Sequence, residues 1–486
     1  MQKITDNTLM NQYADSSLPD DEIHLRQSGR IYIVLSVGLL SLLWFNADAE
    51  IQTFHKLLGL FIGILTLAPS YQWIKLKDKS IPFIELISFH NFLIYCPPIF
   101  LGSVKFVGAT QSSIIQDDDL TKLLLLIILG ILCLFIGYYV IRLPKIKAIP
   151  TLDIDWDRAI PFFLIYLGIS AIGPILVPRL PSALFKVGEL VFSVNGSVTT
   201  YALALLAYKG ELSPKQRKIF FAELVLFLTI CLSSGWLNAF VFPMAAFFIG
   251  VVQAQKKLPW IKMIFVFLLI IILQMSKQTF REEYWGEKMG GQSITSVTQS
   301  ISRSKRWLEM AFSDIGSIGK GAAEVAQVRV NHLSFFGHVV FVTPKYIPYL
   351  DGYSYKYIPA MFIPRFLWPD KPSTMKITNE LAMRYGWLSD HFIGKVALSP
   401  GLMDEAYMNF GIIGVMVVMI LFGAIIRCLM DNLGNDENGF GWQLTLVGFI
   451  FGGGLMVTWT APSYLGGLWQ TIFIIAVLYW PLRVKS

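Results

Sequence analysis

The chain has 486 residues, of which 54% are apolar and only 15% are charged, and its mean hydropathy is +0.56. About a quarter of the residues are charged in an ordinary soluble protein, so this composition excludes a soluble globular protein. The net charge of +7 would suit a nucleic-acid binder, but Lys and Arg lie mostly in short loops between apolar runs, where they set membrane orientation. The sequence therefore predicts an all-α polytopic membrane protein.

Residues 1–29 are polar and rich in Asp and Glu. A secretory signal peptide has a short basic start and a small-residue cleavage site soon after its apolar core, and that pattern is missing. We therefore expect a retained polar tail before the first apolar run.

Apolar runs predict about twelve transmembrane helices. A helix that crosses a bilayer needs about 20 mostly apolar residues, or somewhat fewer at minimum. The candidate runs are 30–47, 56–74, 82–104, 121–142, 159–178, 184–208, 218–235, 237–254, 259–276, 409–430, 442–461 and 464–482.

The charges of the loops predict the orientation. The loop after the second run contains Lys75, Lys77 and Lys79, and the loops after the fourth, sixth and eighth runs are also basic, whereas the intervening loops are acidic or nearly uncharged. By the positive-inside rule, the basic loops and both termini are cytoplasmic. This orientation divides the chain into a cytoplasmic tail (1–29), a nine-span membrane region (30–276), a large external loop (277–408) and a three-span membrane region (409–486).

The external loop 277–408 is too long for a passive connector, and loops of this length usually carry function. Its candidate ligand-binding residues form three groups, which are Lys277 with Arg281, Arg329 with Asn331, and Arg365, Trp368 and Lys371 in a proline-rich turn. Arginine offers a planar fork of donors and lysine a point charge, and both suit phosphate oxygens. Each group alone could merely contact lipid headgroups, but three groups in one loop favour a site for an anionic ligand.

Two adjacent carboxylates, Asp404 and Glu405, lie where the external loop enters the tenth predicted span. Burial raises the pKa of a carboxylate and nearby cations lower it, so this pair is a candidate for proton transfer. Glu405 is favoured as a general base because Tyr407 and Asn409 would be hydrogen-bonding neighbours, and His332 is an alternative base. The same acids could instead only stabilise the N-terminus of a helix.

The sequence predicts neither a metal site nor a cofactor site. The cysteines do not have ligand spacing, and we expect buried, small apolar side chains at Cys96, Cys133, Cys231 and Cys428. No P-loop, Gly-x-Gly-x-x-Gly motif or Gly-x-Ser-x-Gly elbow is present.

In residues 277–425, the sequence resembles the Wzy-type oligosaccharide repeat-unit polymerases, the O-antigen and enterobacterial-common-antigen polymerase group. The motifs that carry the resemblance are Lys277-x-x-x-Arg281, Arg329 with Asn331, Pro364-Arg365-x-x-Trp368-Pro369-x-Lys371-Pro372 and Glu405-x-Tyr407-x-Asn409-Phe410-Gly411-x-x-Gly414. The proline-rich motif is the specific one.

The resemblance implies an enzyme of the bacterial inner membrane with a GT-C-like fold and an active site on the periplasmic face. Such enzymes transfer a glycan from undecaprenyl diphosphate to the non-reducing end of a second lipid-linked repeat unit, without a metal. A flippase and a chain-length regulator are the implied protein partners, and no nucleic acid is involved.

The resemblance and the side-chain chemistry together assign roles to the candidate residues. Cations stabilise the charge of a diphosphate leaving group, and a base accepts the proton of the acceptor hydroxyl, with inversion at the anomeric centre. The expected diphosphate-binding residues are Lys277, Arg281, Arg329, Arg365 and Lys371. The candidate bases are Glu405, His332 and Asp404, and the expected substrate contacts are Asn331, Trp368, Tyr407 and Asn409.

Two other functions are compatible with the sequence. An O-antigen ligase would transfer the same donor to lipid A core sugars. A transporter or flippase of lipid-linked sugars would place ionisable groups inside the membrane, whereas charges within the predicted spans are few and the external loop is rich in them. The polymerase is the favoured interpretation.

Overall fold

Helices make up nearly all of the secondary structure in the computed structural model. It describes residues 18–77, 79–101, 105–107, 112–114, 117–146, 149–181, 184, 187–285, 294, 296–313, 332–363, 367–368, 370–389, 399–434, 438–455 and 457–484. The described strands are two antiparallel three-residue segments, β1 (Lys105–Val107) and β2 (Ser112–Ile114), which pair with Phe106 opposite Ser113.

The helices of the first part of the chain are α1 (Leu18–Phe45), α2 (Thr53–Lys75), α3 (Phe83–Phe100), α4 (Asp117–Phe135), α5 (Trp156–Leu176), α6 (Asn195–Lys209), α7 (Pro214–Ser233), α8 (Leu237–Gln255) and α9 (Trp260–Trp285). Those of the second part are α10 (Val297–Ser313), α11 (His332–Val342), α12 (Ile358–Met361), α13 (Thr374–Arg384), α14 (Leu402–Leu433), α15 (Phe440–Phe449) and α16 (Ala461–Tyr479). Short π-helical turns extend α4 over Ile136–Val140, precede α6 over Glu189–Val194 and extend α15 over Ile450–Gly454.

The structure confirms a polytopic helical membrane protein. In the part of the chain that the structure describes, nine helices are long and apolar enough to cross a membrane, and they coincide with nine of the twelve predicted runs. The other three runs, 184–208, 218–235 and 442–461, also contain helices. Of these, α6 and α15 have only 15 and 10 residues, and α7 begins with several Lys and Arg residues. The number of spans that meet the length and hydropathy requirement is therefore smaller than predicted.

The tenth predicted span is a folded helix rather than a straight one. At Phe410 (φ −141°, ψ 16°) and Gly411 (φ 61°, ψ −145°) the backbone leaves helical geometry. Gly414 lies so close to Ala406 that a Cβ atom at this position would collide with the Ala406 carbonyl oxygen. Eight residues span about 12 Å along a straight helix, so residues 402–409 must fold back on the part of α14 that follows Gly411. We call residues 402–409 the half-helix.

Packing against α4 gives the direction of the half-helix. A Cβ atom on Gly130 would lie 2.8 Å from Met403 Sδ and 3.2 Å from Val415 Cγ1. Met403 and Val415 are twelve residues apart, or about 18 Å along a straight helix, yet both reach the same turn of α4. The half-helix therefore lies within the helix packing, whereas the sequence predicts these residues at the end of the external loop.

A second interruption lies beside the half-helix. The π-helical turn that extends α15 leaves helical geometry at Gly453, whose φ of 137° is open mainly to glycine. The chain then passes through Val457, whose carbonyl accepts a hydrogen bond of 2.9 Å from the Leu402 amide, and α16 begins at Ala461. The N-terminal ends of the half-helix and of α16 are thereby held close together.

Candidate active site

The half-helix brings together two of the predicted bases. Asp404 and Glu405 lie in its first turn, and both side chains have 0% exposure. A buried carboxylate needs hydrogen-bond donors or a cation to offset its loss of hydration. The partners of each carboxylate therefore indicate what the pair can do.

Asp404 is paired with His332. Asp404 Oδ2 accepts a hydrogen bond of 3.2 Å from the Gly401 amide, and the same oxygen lies 2.9 Å from Nε2 of His332, the first residue of α11. A Cβ atom at Gly401 would lie 2.6 Å from Nε2, so only glycine leaves room for the imidazole. The pair is an imidazole and a carboxylate within ion-pair distance, although Nε2 does not meet hydrogen-bond geometry with any described residue. Two residues that the sequence places more than 70 positions apart are brought into contact.

Glu405 joins the half-helix to α16. Its Oε2 atom accepts a hydrogen bond of 2.5 Å from the amide of Ala461. A negative charge at a helix N-terminus is stabilised by the helix dipole and by amide groups that have no partner within the helix. The Glu405 carboxylate thus has a structural role through one oxygen, and its other oxygen has no hydrogen-bond partner among the described residues.

Asn409 connects the half-helix to the external loop. Its Nδ2 atom donates hydrogen bonds of 2.9 Å to Ser354 Oγ and 2.8 Å to the Glu405 carbonyl. Ser354 is fully buried, and its hydroxyl also neighbours the Glu405 carboxylate. Sequence reasoning predicted the proximity of Asn409 to Glu405 but not the contribution of Ser354.

Four polar atoms around Glu405 have no hydrogen-bond partner among the described residues. They are Asp404 Oδ1, Glu405 Oε1, Asn409 Oδ1 and the phenol oxygen of Tyr355. Burial, together with the neighbouring Glu405 carboxylate, raises the pKa of Tyr355, so its phenol stays protonated and can donate. Most buried polar groups in proteins are hydrogen-bonded. Three acceptors and one donor without partners are therefore suited to a ligand that carries hydroxyl groups.

Helix α3 contributes residues that the sequence analysis did not select. The fully buried ring of Tyr95 lies 6.4 Å from the ring of His332, centroid to centroid, and His90 is within electrostatic range of the same imidazole. The run of α3 contains Ser88, His90 and Asn91 in an otherwise apolar sequence. Polar residues inside a predicted span were the available signal, because such residues usually face a partner within the bundle.

Tyr407 is a buried residue of the half-helix that packs among aromatic rings. It is 1% exposed, and its ring packs 6.3 Å from the rings of Phe336 and Tyr349. Nζ of Lys122, on α4, lies 5.8 Å from the centroid of the Tyr407 ring. Tyr407 therefore links the half-helix to Lys122, a cation that was not among the residues selected from the sequence.

Arg281, near the end of α9, contacts a carbonyl group and two aromatic rings. Its Nε atom donates a hydrogen bond of 3.1 Å to the Gly235 carbonyl, and its guanidinium group lies 4.1 Å from the ring of Trp285 and 4.7 Å from that of Trp236. These contacts hold the turn between α7 and α8 against α9. Lys277, one turn earlier, is half-buried on the same helix. The described contacts of Arg281 do not include the carboxylates of the half-helix.

Lys371 also forms hydrogen bonds with residues close to it in the sequence. It is 7% exposed, and its Nζ atom donates hydrogen bonds of 2.6 Å to the Ile363 carbonyl and 3.4 Å to the Ala360 carbonyl. Lys371 therefore stabilises the turn that follows α12, where the sequence predicted a projecting phosphate ligand. Trp368 is 41% exposed in the same turn. The other predicted ligands, Arg329, Asn331 and Arg365, lie outside the described residues.

The described residues contain no group of three or more His, Cys, Asp or Glu side chains that could hold a metal ion. Cys96, Cys133 and Cys231 are buried free thiols, as the sequence predicted, whereas Cys428 is only half-buried.

One protein-family model, described as a domain of unknown function (DUF8712), matches residues 112–479. This range contains α11, the half-helix and the start of α16. No curated protein and no solved structure matches the chain.

Proposed function

The chain belongs to the DUF8712 family, and we propose that it is a membrane glycosyltransferase that polymerises lipid-linked oligosaccharide repeat units. The donor is a glycan on undecaprenyl diphosphate, and the acceptor is the non-reducing end of a second lipid-linked unit. The resemblance of residues 277–425 to the Wzy-type polymerases supports the reaction class. The structure supports a buried proton-transfer site within that segment.

The observation that carries the proposal is the set of unpartnered polar atoms around Glu405. A sugar hydroxyl can donate to Glu405 Oε1 and accept from the Tyr355 phenol, and Asn409 Oδ1 offers a further acceptor. Few other ligands present so many hydroxyl groups. In this proposal Glu405 is the general base, and the His332–Asp404 pair, 2.9 Å apart, accepts or relays the proton beside it.

The proposed step exchanges two bonds. The acceptor hydroxyl oxygen forms a bond to the anomeric carbon of the donor, and its proton passes to Glu405. The bond between the anomeric carbon and the diphosphate oxygen breaks, and its electron pair leaves with undecaprenyl diphosphate. Attack from the face opposite the leaving group inverts the anomeric centre. The cations that the sequence predicts as diphosphate ligands, among them Lys277, Arg281, Arg329 and Arg365, would in this proposal stabilise the charge that develops on the diphosphate.

The proposed location is the periplasmic face of a bacterial inner membrane, with both termini in the cytoplasm. The basic loops support this orientation through the positive-inside rule. The half-helix packs along the first and the middle turns of α4, since Tyr407 lies beside Lys122 and Met403 lies beside Gly130. The positive-inside rule predicts that the start of α4 is its external end, so in this proposal the site is reached from the compartment in which lipid-linked units are polymerised.

A second candidate is a transporter of lipid-linked sugars. The observation that favours it is the meeting of two interrupted helices, at Gly411 and at Gly453, beside buried ionisable residues. Transporters often form binding sites from such interrupted helices near the middle of the membrane. This candidate predicts movement of the intact lipid-linked unit without formation of a new glycosidic bond.

The experiment that separates these functions uses purified protein in detergent with an undecaprenyl-diphosphate-linked repeat unit. A gel shows whether a ladder of longer glycans forms without nucleotide sugars or metal. We expect a ladder with the wild-type protein and with Lys305→Ala, a variant of a lysine that is 77% exposed on α10. Glu405→Gln and Tyr355→Phe should form little or no ladder. Transfer of a single glycan to lipid A would identify a ligase, and intact substrate with several repeat units would favour the transporter.

A further inference from the structure

A groove on the surface of α4 is not used by the proposed chemistry. It has a volume of about 380 Å³ and is lined by one face of the outer half of α4 and by Ile412, the first residue after the reversal in α14. We call it the α4 groove. Leu125 is 50% exposed and Ile412 is 48% exposed, so the groove is open on the side of the helix bundle that would face lipid.

The α4 groove is polar at one end and apolar along the rest. Asp118, Thr121 and Lys122 lie at the end nearest the start of α4, and leucines follow at positions 125, 126 and 129. From Lys122 to Leu129 the helix rises by about 10 Å. A polar end with one cation and one carboxylate, followed by an apolar path of this length, has the polarity of a lipid with a charged headgroup.

Lys122 is the cation of the α4 groove that would complement the negative charge of a phosphate headgroup. Within the described part of the chain no ion pair of Lys122 is found; its Nζ atom lies 5.8 Å from the centroid of the Tyr407 ring, and it is within electrostatic range of Tyr349. Asp118 lies one turn closer to the start of α4, so Lys122 is the charged group next to the apolar path. A lysine ammonium group beside an aromatic ring still has donors available for phosphate oxygens.

Tyr407 links the head of the groove to the candidate active site. It precedes Asn409 and follows Glu405 by two residues on the half-helix, and it contacts Lys122 across the interface with α4. A headgroup at Lys122 would therefore lie beside the half-helix that carries the candidate base. The apolar chain of the same molecule would extend along Leu125 and Leu129 toward the middle of the bilayer.

We infer that the α4 groove binds the isoprenoid chain of a polyprenyl diphosphate lipid and that Lys122 contacts its headgroup. This inference rests on the proposed function for the identity of the lipid, and it adds the route by which the lipid reaches the site. Lys122 is thus a diphosphate-binding residue that the loop motifs did not include.

Binding can be measured separately from catalysis. The protein is reconstituted in phosphatidylcholine nanodiscs, and the binding of a long-chain polyprenyl diphosphate without sugar is measured by native mass spectrometry. Lys122→Ala removes the cation and Leu125→Trp fills the groove. Lys305→Ala and Leu42→Trp are matched controls, because Lys305 is 77% exposed on α10 and Leu42 is 63% exposed on α1.

We expect each groove variant to weaken binding about tenfold or more, as expected for the loss of one charge-assisted contact or of the chain path. The control variants should bind as the wild type does, and Lys122→Arg should restore binding. Equal binding by wild type and both groove variants would overturn the inference, as would equal affinity for phosphatidylglycerol. A glycan ladder with unaffected lipid binding in the groove variants would leave the proposed function intact and reject the groove. Lipid binding that depends on Lys122, without any ladder, would reject the function alone.

Discussion

The Glu405 carboxylate accepts a hydrogen bond of 2.5 Å from the amide of Ala461, the first residue of α16. The same side chain is the candidate general base. One carboxylate oxygen thus stabilises the N-terminus of a helix, and the other has no hydrogen-bond partner among the described residues. A structural and a chemical role for Glu405 can be separated, because each role requires a different property of the side chain.

We predict that Glu405→Gln and Glu405→Ala differ in stability but not in activity. The glutamine amide oxygen can still accept from Ala461, whereas alanine leaves that amide without its partner and costs about 1–2 kcal/mol. Both variants lack the base, so polymer formation should fall by roughly 100-fold or more in each. Thermal unfolding and ladder formation are measured on the same preparations. A Glu405→Gln protein with normal polymer would show that Glu405 has only the structural role.

We predict that His332 and Asp404 are energetically coupled. His332→Ala and Asp404→Asn each remove one member of a pair that lies 2.9 Å apart. Contacting residues in one network show coupling of about 0.5–3 kcal/mol, while distant residues are additive. The double variant should therefore lose little more activity than either single variant. Additive losses would indicate independent roles, and Asp404→Asn combined with Lys376→Ala provides the distant control.

We predict a graded effect of alanine substitution at three glycines. Gly411 has φ of 61°, and a Cβ atom there would lie 2.8 Å from the Tyr349 hydroxyl oxygen. Gly210 has φ of 86°, but a Cβ atom there would have no other atom within 4 Å. A Cβ atom at Gly38 would also have no atom within 4 Å, and this glycine does not have a positive φ. A left-handed conformation costs a residue with a side chain roughly 1–2 kcal/mol. Thermal stability should therefore decrease in the order Gly38→Ala, Gly210→Ala, Gly411→Ala.

The contact with Tyr349 distinguishes the last two variants. If Gly411→Ala and Gly210→Ala unfold at the same temperature, the half-helix does not pack in the way described. Loss of ladder formation should accompany the stability change at Gly411 alone, because only this glycine forms the reversal that positions Glu405.

We predict that Arg281 contributes to stability through its aromatic neighbours. Arg281→Ala removes a hydrogen bond to Gly235 and the contacts with Trp236 and Trp285. Contacts between cations and aromatic rings contribute about 0.5–2 kcal/mol, and a charged hydrogen bond contributes about 1.5–3 kcal/mol. The unfolding temperature should fall well below that of Lys305→Ala. Unchanged stability, combined with weaker diphosphate binding, would instead favour the ligand-binding role that the sequence predicts.

Hydropathy was sufficient to predict the general fold. The property that makes a helix span a membrane is the average polarity of about 20 residues, and this average can be read from one sequence. It predicted nine of the described spanning helices. It did not separate α6 and α15 from full-length spans, because apolar residues continue through the π-helical turns beside them.

The reversal in α14 could not be predicted in the same way. Residues 402–433 form one largely apolar run, and glycine is common in transmembrane helices. The left-handed φ of Gly411 follows from its packing against Tyr349 and from the approach of Gly414 to Ala406, which are properties of the folded chain. One sequence motif contains Gly411 and Gly414, but the motif does not show that the chain reverses there.

The candidate site was predicted in part. The sequence selected His332, Asp404, Glu405 and Asn409, and the structure joins them through direct contacts. It did not select Ser354, Tyr355 and Tyr95, because their proximity depends on how the external loop and α3 pack against the half-helix. Three cationic groups in one loop, with Arg281 and Lys371 among them, predicted phosphate binding, but a sequence does not show which carbonyl groups and aromatic rings lie beside a cation.

The central claim is that the buried site around Glu405 transfers glycans from a lipid diphosphate. The most direct test measures the release of undecaprenyl diphosphate together with glycan length, in proteoliposomes that contain wild-type protein or Glu405→Gln. With the wild type, we predict one released lipid diphosphate for every repeat unit added, and with Glu405→Gln, neither release nor elongation although the protein remains folded. Equal release and elongation by both proteins would contradict the account.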